Sequence, residues 1–189
     1  MMRIIPGKAR GIRLATLEGE ATRPTTERVK EAVFSMIQFD IEGREVLDLF
    51  AGSGQLALEA LSRGAAHAVM TDRSREAVAI IRANAKKTGL EGACEIYNCE
   101  YTDYIRKNRG KRFDIIFLDP PYAQNLCTKV VEALDEADMI KPSTVIVCES
   151  ERDDVLVDGT PFADRFEAVK KTAYGRAFIT VLTPKRAEG

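Results

Sequence analysis

"VLDLFAGSGQLALEAL" (Val46–Leu61) changes periodicity in its middle. Up to Phe50 it is an apolar run of the kind buried on both faces of a sheet. After Gly54 the apolar residues follow helical spacing. Gly52 and Gly54 stand at the change, where the lack of a Cβ lets the backbone turn tightly and approach a ligand closely. A strand, a glycine turn and a helix in that order open a βαβ unit.

The same rhythm continues downstream. AVMTD reads as a strand before the helix REAVAIIRANAKKTG, CEIYN precedes a short helix near YTDYIRKN, and DIIFLD precedes LCTKVVEALDEA. TVIVCES follows, then FEAVKKTAYG and AFITVLTP with no helix of consequence between those two, which predicts an antiparallel pair. The alternation predicts an α/β fold, a mostly parallel sheet with helices on both faces. Upstream, RIIPGKARGIRL predicts two short strands around a Pro-Gly turn. TRPTTERVKEAVFSMIQF predicts a helix with a Thr cap and apolar residues at Val29, Ala32, Val33, Met36 and Ile37. No repeat, low-complexity segment or linker breaks the pattern. The expected organisation is a hairpin-and-helix extension over 1–40 and an α/β core over 41–189.

Composition narrows the class. A chain of 189 residues, 45% hydrophobic and 30% charged, suits one soluble domain with a substantial core. No apolar run approaches the roughly 20 residues that span a bilayer. The opening MMRIIPGKARGIRL has no signal-peptide h-region, so a cytoplasmic protein with no membrane partner is expected, monomeric by default. Cys94, Cys99, Cys127 and Cys148 are scattered without a C-x-x-C pair, and no metal site is expected. The lone His67 opens a predicted strand and receives no catalytic role. A net charge of −1 by itself argues against a wholly electrostatic nucleic-acid binder. Three stretches are nevertheless basic without an acid: residues 1–17, with Arg3, Lys8, Arg10 and Arg13; RKNRGKR (Arg106–Arg112); and VKKTAYGR (Val169–Arg176).

In open α/β sheets, ligands bind at the carboxyl ends of strands where the strand order reverses, so two loops matter most. In the first, Gly52, Gly54 and Ala57 fit the dinucleotide pattern G-x-G-x-x-A. Asp72 lies about 20 residues on, where an acid accepts hydrogen bonds from a ribose. That spacing points to a nucleoside-containing cofactor and leaves its identity open. Asp48 narrows it: a carboxylate beside the loop repels a pyrophosphate but favours the sulfonium and ammonium of S-adenosylmethionine.

The second loop ends FDIIFLDPPYAQN (Phe113–Asn125). If the strands before AGSG and DPPY are neighbours, the two loops share one site. Methyl transfer demands geometry more than acid–base chemistry. The Asp119 carboxylate and the Pro120 carbonyl can each accept an N–H of a planar exocyclic amine and turn its lone pair toward the methyl carbon. Pro120 and Pro121 fix the backbone and donate nothing that competes. Tyr122 offers a flat face for an extruded base. Such a clamp takes a guanine, adenine or cytosine amine equally well.

MRIIPGKARGIRL, TRPTTERVKEAVFSMI, VLDLFAGSGQLALEALSRGA, FDIIFLDPPY and YGRAFITVL together resemble the RsmD family, over nearly the whole chain from Arg3 onward. These are bacterial methyltransferases acting on guanine N2 in 16S ribosomal RNA. The DPPY motif is shared with DNA adenine methyltransferases, whereas the TRPT segment ahead of LDLFAGSG is far more specific. The resemblance implies a class I S-adenosylmethionine-dependent methyltransferase, Rossmann-like and seven-stranded, with a small N-terminal hairpin that helps hold RNA. By the matching motifs, Asp48, Gly52 and Gly54 line the cofactor's methionine end, with Phe50, Ala51 and Ser53 in the same loop. Asp72, followed by Arg73, holds the ribose, and Asp119, Pro120, Pro121 and Tyr122 take the target guanine. Glu100 is the candidate beside the adenine amine, and Gln55 stands where the family leads one to expect a small residue. Arg3, Lys8, Arg10 and Arg13, with Arg23 and Arg28 in the following segment, become candidate phosphate contacts. The Thr22–Thr25 stretch is a candidate lid over the cofactor. The implied partner is 16S rRNA within a small ribosomal subunit or its assembly intermediate.

Four rivals fit less. A DNA amino-methyltransferase of this length has little room for target recognition, and a glutamine methyltransferase would more naturally read Asn-Pro-Pro-Tyr. A dinucleotide dehydrogenase leaves DPPY unexplained. A non-catalytic RNA-binding module would bind RNA but no S-adenosylmethionine.

Overall fold

A computed structural model describes residues 2–17, 27–121, 125–155 and 160–185, apart from the side chain of Phe39. The strands are β1 (Glu45–Asp48), β2 (His67–Asp72), β3 (Cys94–Asn98), β4 (Phe113–Leu118), β5 (Ile140–Ser150), β6 (Phe166–Tyr174) and β7 (Ala177–Pro184). The helices are α1 (Glu27–Ile37), α2 (Gln55–Ser62), α3 (Arg75–Thr88), α4 (Tyr101–Lys107), α5 (Leu126–Glu136) and α6 (Pro161–Arg165). One seven-stranded sheet runs in the order β3-β2-β1-β4-β5-β7-β6. β1 to β5 are parallel. β7 is antiparallel to both β5 and β6. The order reverses between β1 and β4, so the glycine loop and the DPPY segment leave the sheet side by side.

Alternation explains why the strands read as continuous apolar runs. Val46, Met70, Ile115, Phe117 and Val147 point to one face, packed under α1, α2 and α3. Leu47, Leu49, Val69, Ile116, Leu118 and Ile146 point to the other, packed with residues of α4, α5 and α6. Both faces are covered, so both residue parities must be apolar. The five-residue α6 falls in a stretch with no predicted helix; its start is capped by Thr160, whose hydroxyl accepts from Ala163 N at 3.2 Å.

The N-terminal extension is a ribbon closed by a single bridge, Arg3 to Arg13, rather than two extended strands. Ile4 N donates to Ile12 O and Leu14 N to Met2 O, at 3.0 and 2.9 Å. Ile4, Ala9 and Leu14 enter the same core as α1 to α3. Beneath the ribbon, Lys30 and Glu59 form a fully buried ion pair at 2.9 Å. Glu59 also accepts from Ile5 N at 3.1 Å, and Lys30 donates to the Arg3 carbonyl. Asn84 of α3 pairs with both backbone groups of Ala15, at 2.8 and 2.9 Å, and donates to Ser53 O at 2.9 Å. The ribbon is thereby tied to the glycine loop. No helix among the described residues is long and apolar enough to cross a membrane.

Candidate active site

A cavity of about 420 Å³ opens at the carboxyl ends of β1, β2 and β4, lined by Asp48, the 49–53 loop, Asp72, Arg73, Glu100, Asp119 and Pro121. That volume lies within the roughly 300–1,000 Å³ usual for small-molecule sites. The loop is held from below. Ala51 N donates to Thr71 O at 3.0 Å, and Thr71 Oγ1 donates to Leu49 O at 2.8 Å. Gly54 sits at φ 78° as the N-cap of α2, and a Cβ there would lie 3.2 Å from Met70 Sδ and 3.3 Å from Ile81 Cγ2. A side chain is thus disfavoured at Gly54 by both conformation and space.

Asp72 ends β2 and braces the loop across it. Its Oδ2 accepts from Gly52 N at 3.0 Å and its Oδ1 from Ser74 N at 2.8 Å, the residue that caps α3. Each oxygen keeps lone-pair capacity for a ligand hydroxyl. Asn98, at the end of β3, fastens the same corner by donating to the carbonyls of Asp72 and Arg73 at 3.0 and 2.9 Å. Glu100 follows, and its side chain does not cap α4. It reaches Arg73 at 4.0 Å, both side chains being more than half exposed.

Asp48 is the most perturbed group of the site. It is 2% exposed, and burial raises its pKa to about 7, with repulsion from Asp72 adding to the rise against the Phe50 and Ala57 N–H groups that favour the anion. Its Oδ1 has no hydrogen-bond partner, and neither have the buried atoms Ser53 Oγ and Gln55 Oε1; all three residues contribute to the cavity lining. The carboxylate of Asp48 in its ionised form favours a cationic group in the cavity over a phosphate.

Asp119 follows the last residue of β4, and β4 pairs with β1 through Asp48 and Phe117. Asp119 and Pro121 line the cavity, and Pro120 between them is buried. Tyr122 lies outside the described residues, as do Arg23 and the Thr22–Thr25 stretch. Of the basic candidates, Arg3 pairs with Glu27 at 3.1 Å, and Lys8, Arg10, Arg13 and Arg28 are exposed. The Lys8 turn is anchored on Ser62, since Lys8 N donates to Ser62 O and Ala9 N to Ser62 Oγ, at 2.9 and 3.0 Å. Ser62 ends the helix that begins at the cavity with Gln55. That turn is therefore roughly 10 Å along α2 from the glycine loop, and the structure does not bring Lys8 to the cavity.

The sequence reading missed Tyr101, whose ring lies 5.3 Å from that of Phe50 and completes a wall of the cavity. An aromatic directly after the strand-to-helix turn was the available signal. Leu17 and Cys99 also line the cavity without a motif to flag them. No cluster of metal-ligating side chains occurs among the described residues.

A family profile described as conserved hypothetical protein 95 matches residues 2–183. A Bacillus subtilis protein named "Putative rRNA methyltransferase YlbH" is 38% identical over 154 residues, covering 80% of this chain and 84% of the relative. The Haemophilus influenzae protein "Ribosomal RNA small subunit methyltransferase D" is 36% identical over 159 residues, covering 82% of each. Among solved structures, "Putative methyltransferase yhhF" from Escherichia coli superposes with a TM-score of 0.86 at 29% identity, over 97% of this chain and 98% of the other.

Proposed function

The chain belongs to the RsmD family, and from that premise we propose that it is an S-adenosylmethionine-dependent methyltransferase of small-subunit ribosomal RNA, acting on the exocyclic N2 amine of a guanine. One observation carries the reading: a buried carboxylate with an unpartnered oxygen and the Asp119–Pro121 segment share a cavity at the strand-order reversal. The donor set fits the cofactor. Asp48 and its neighbouring acceptors suit the cationic methionine end, Asp72 suits a ribose, and the Phe50–Tyr101 wall with Glu100 suits an adenine ring and its amine. Bound there, S-adenosylmethionine supplies a methyl group activated by a sulfonium.

The remaining work belongs to the chain. The amine lone pair of guanine is delocalised into the ring, so it must be turned out of conjugation. Asp119 and the Pro120 carbonyl accept its two N–H groups and set that orientation, and the Asp119 carboxylate stands in place to take the proton the amine loses. Phe50, Tyr101 and Pro121 contribute to the nonpolar part of the cavity lining. Tyr122 stacks on the extruded base. Arg3, Lys8, Arg10, Arg13, Arg23 and Arg28 contact phosphates. They orient the RNA without reading sequence.

Tritiated S-adenosylmethionine tests the reading on three substrates: 30S subunits from a strain lacking the enzyme, protein-free 16S rRNA, and duplex DNA. Label recovered in N2-methylguanosine from either RNA substrate is the expected result. Label only in DNA overturns the substrate, and cofactor binding without transfer to any of the three overturns the activity.

A further inference from the structure

The basic stretch VKKTAYGR (Val169–Arg176) covers the second half of β6 and its turn into β7. Tyr174 pairs with Ala177, so Gly175 and Arg176 alone make the turn. Gly175 sits at φ 61°, the left-handed conformation that glycine supplies at the first position of a two-residue hairpin. Tyr174 is half-buried and packs against the core beneath α1 to α3. Arg176 is thus carried on a short, anchored support.

The sheet decides where that support lies. β7 pairs antiparallel with β5, and Ser150, the last residue of β5, stands opposite Phe178. The turn before Ala177 therefore lies at the carboxyl edge, the edge at which Asp119 follows β4. β4, β5 and β7 are consecutive in the sheet, so two strand spacings, roughly 10 Å, separate β7 from β4. The loop after β5 ties the two regions together. Asn125 N donates to Asp154 Oδ2 at 3.3 Å, and Lys171 Nζ donates to Asp153 Oδ1 at 2.6 Å. The N-terminal ribbon is anchored on α2 and α3, which follow β1 and β2 on the other flank. Lys170 and Arg176 are exposed and take part in no ion pair among the described residues, whereas Lys171 is held by Asp153. Lysines and a bulge at Val169 deter an outer strand from pairing with another sheet. Arg176 lies past the ladder, where no edge needs guarding.

We propose that Arg176 and Lys170 contact backbone phosphates of the ribosomal RNA, on the flank of the Asp119 segment opposite the ribbon. The proposal rests on the RNA reading above. A guanidinium on a fixed turn matches a phosphate bidentately, and the Lys170 ammonium adds a point charge. Neither reads a base edge. Contacts on both flanks hold the strand across the acceptor side, where contacts on one flank leave it free to pivot.

Filter binding of the full chain to protein-free 16S rRNA over a series of salt concentrations tests this, with S-adenosylhomocysteine calorimetry beside it. The double variant Lys170→Gln/Arg176→Gln is expected to weaken RNA binding about tenfold at physiological salt. It should also lower the slope of log affinity against log salt by about 1.4, two contacts at about 0.7 each. Its affinity for S-adenosylhomocysteine should stay within about twofold of wild type, because neither side chain lines the cavity. Lys107→Gln/Arg109→Gln removes the same charge ahead of β4 and should leave RNA binding within about twofold. Arg176→Lys keeps the charge and should bind RNA more tightly than Arg176→Gln does. An unchanged salt slope, or an equal loss in the Lys107/Arg109 variant, overturns the proposal. So does a parallel loss of S-adenosylhomocysteine affinity, which would make the hairpin a structural support. A loss seen with 30S subunits but not with protein-free rRNA overturns it too, since the hairpin would then meet a ribosomal protein. Wild type that binds S-adenosylhomocysteine but no RNA removes the RNA reading itself, and this proposal with it.

Discussion

The two edges of the sheet treat polar groups in opposite ways. At the amino ends of β1 to β5 the charges interlock. Asp114 takes Lys141 at 2.7 Å, Arg44 at 3.8 Å and the Glu45 N–H at 3.0 Å. His67 lies between Glu45 and Glu95 at 3.4 and 3.5 Å, and Lys111 meets Glu95 at 3.3 Å. At the carboxyl ends, the buried Asp48 and Ser53 and the half-buried Gln55 each have one buried oxygen unmatched. Partnered charge on an exposed edge is surface structure; a buried carboxylate with an unmatched oxygen beside a cavity is what we propose faces the cofactor. The comparison also disposes of one basic cluster. Arg106 pairs with Asp103, Lys111 with Glu95 and Arg112 with Asp138, so three of the five positive charges of RKNRGKR are matched.

Pairing that marks structure should cost stability and spare ligand binding. The largest such effect belongs to the buried Lys30–Glu59 pair. Lys30→Met leaves the buried Glu59 carboxylate with Arg63, at 3.2 Å, as its remaining cation, and thermal or urea unfolding should show a loss of about 3 kcal/mol. Next comes Asp72, which serves both roles. Asp72→Ala should weaken S-adenosylhomocysteine tenfold or more by calorimetry, at about one charged hydrogen bond's worth of affinity. Equal affinity for wild type and variant would remove the ribose assignment.

The pH dependence of cofactor binding sharpens the contrast further. In the free protein the Asp48 carboxyl is raised to about 7 by burial. A cationic ligand favours its ionised form and lowers that value. Binding therefore releases a proton below pH 7, so affinity for S-adenosylhomocysteine should climb about tenfold or less from pH 6 to 8 and then level off. In the ligand-free protein the sign is reversed, because the neutral carboxyl is the form that burial tolerates. Its stabilising contribution is present at low pH and is lost as pH rises through about 7, and the ligand restores it. A thermal shift by S-adenosylhomocysteine that shrinks with rising pH would contradict this. The smallest effect lies on the amino edge: Arg112→Ala should change stability by no more than about 0.5 kcal/mol, since exposed pairs contribute little.

The asymmetry between edges also governs what the sequence could reveal. Parallel strands buried on both faces carry continuous apolar runs, so Val46–Asp48 and Phe113–Leu118 were legible, and with them the two loops they feed. Glycine spacing and the carboxylates at strand ends stood next to each other in the chain. The interlocked edge was not legible, because its charges come from five separate strand ends that only the fold assembles. Lys30 and Glu59 were equally hidden, since each is a polar residue on an amphipathic helix until the ribbon covers it. Gln55 was visible as an odd residue in the loop, but only burial shows that its oxygen has no partner.

The account divides the cavity into a cofactor side at Asp48 and Asp72 and an acceptor side at Asp119. The measurement that tests this division most directly is paired: S-adenosylhomocysteine affinity and methyl transfer to 30S subunits, for wild type and Asp119→Ala. The account predicts affinity within about threefold of wild type with transfer lowered at least 100-fold, the pattern of a group needed for the chemical step rather than for cofactor binding. A variant that loses both in proportion, or that keeps transfer, would contradict it.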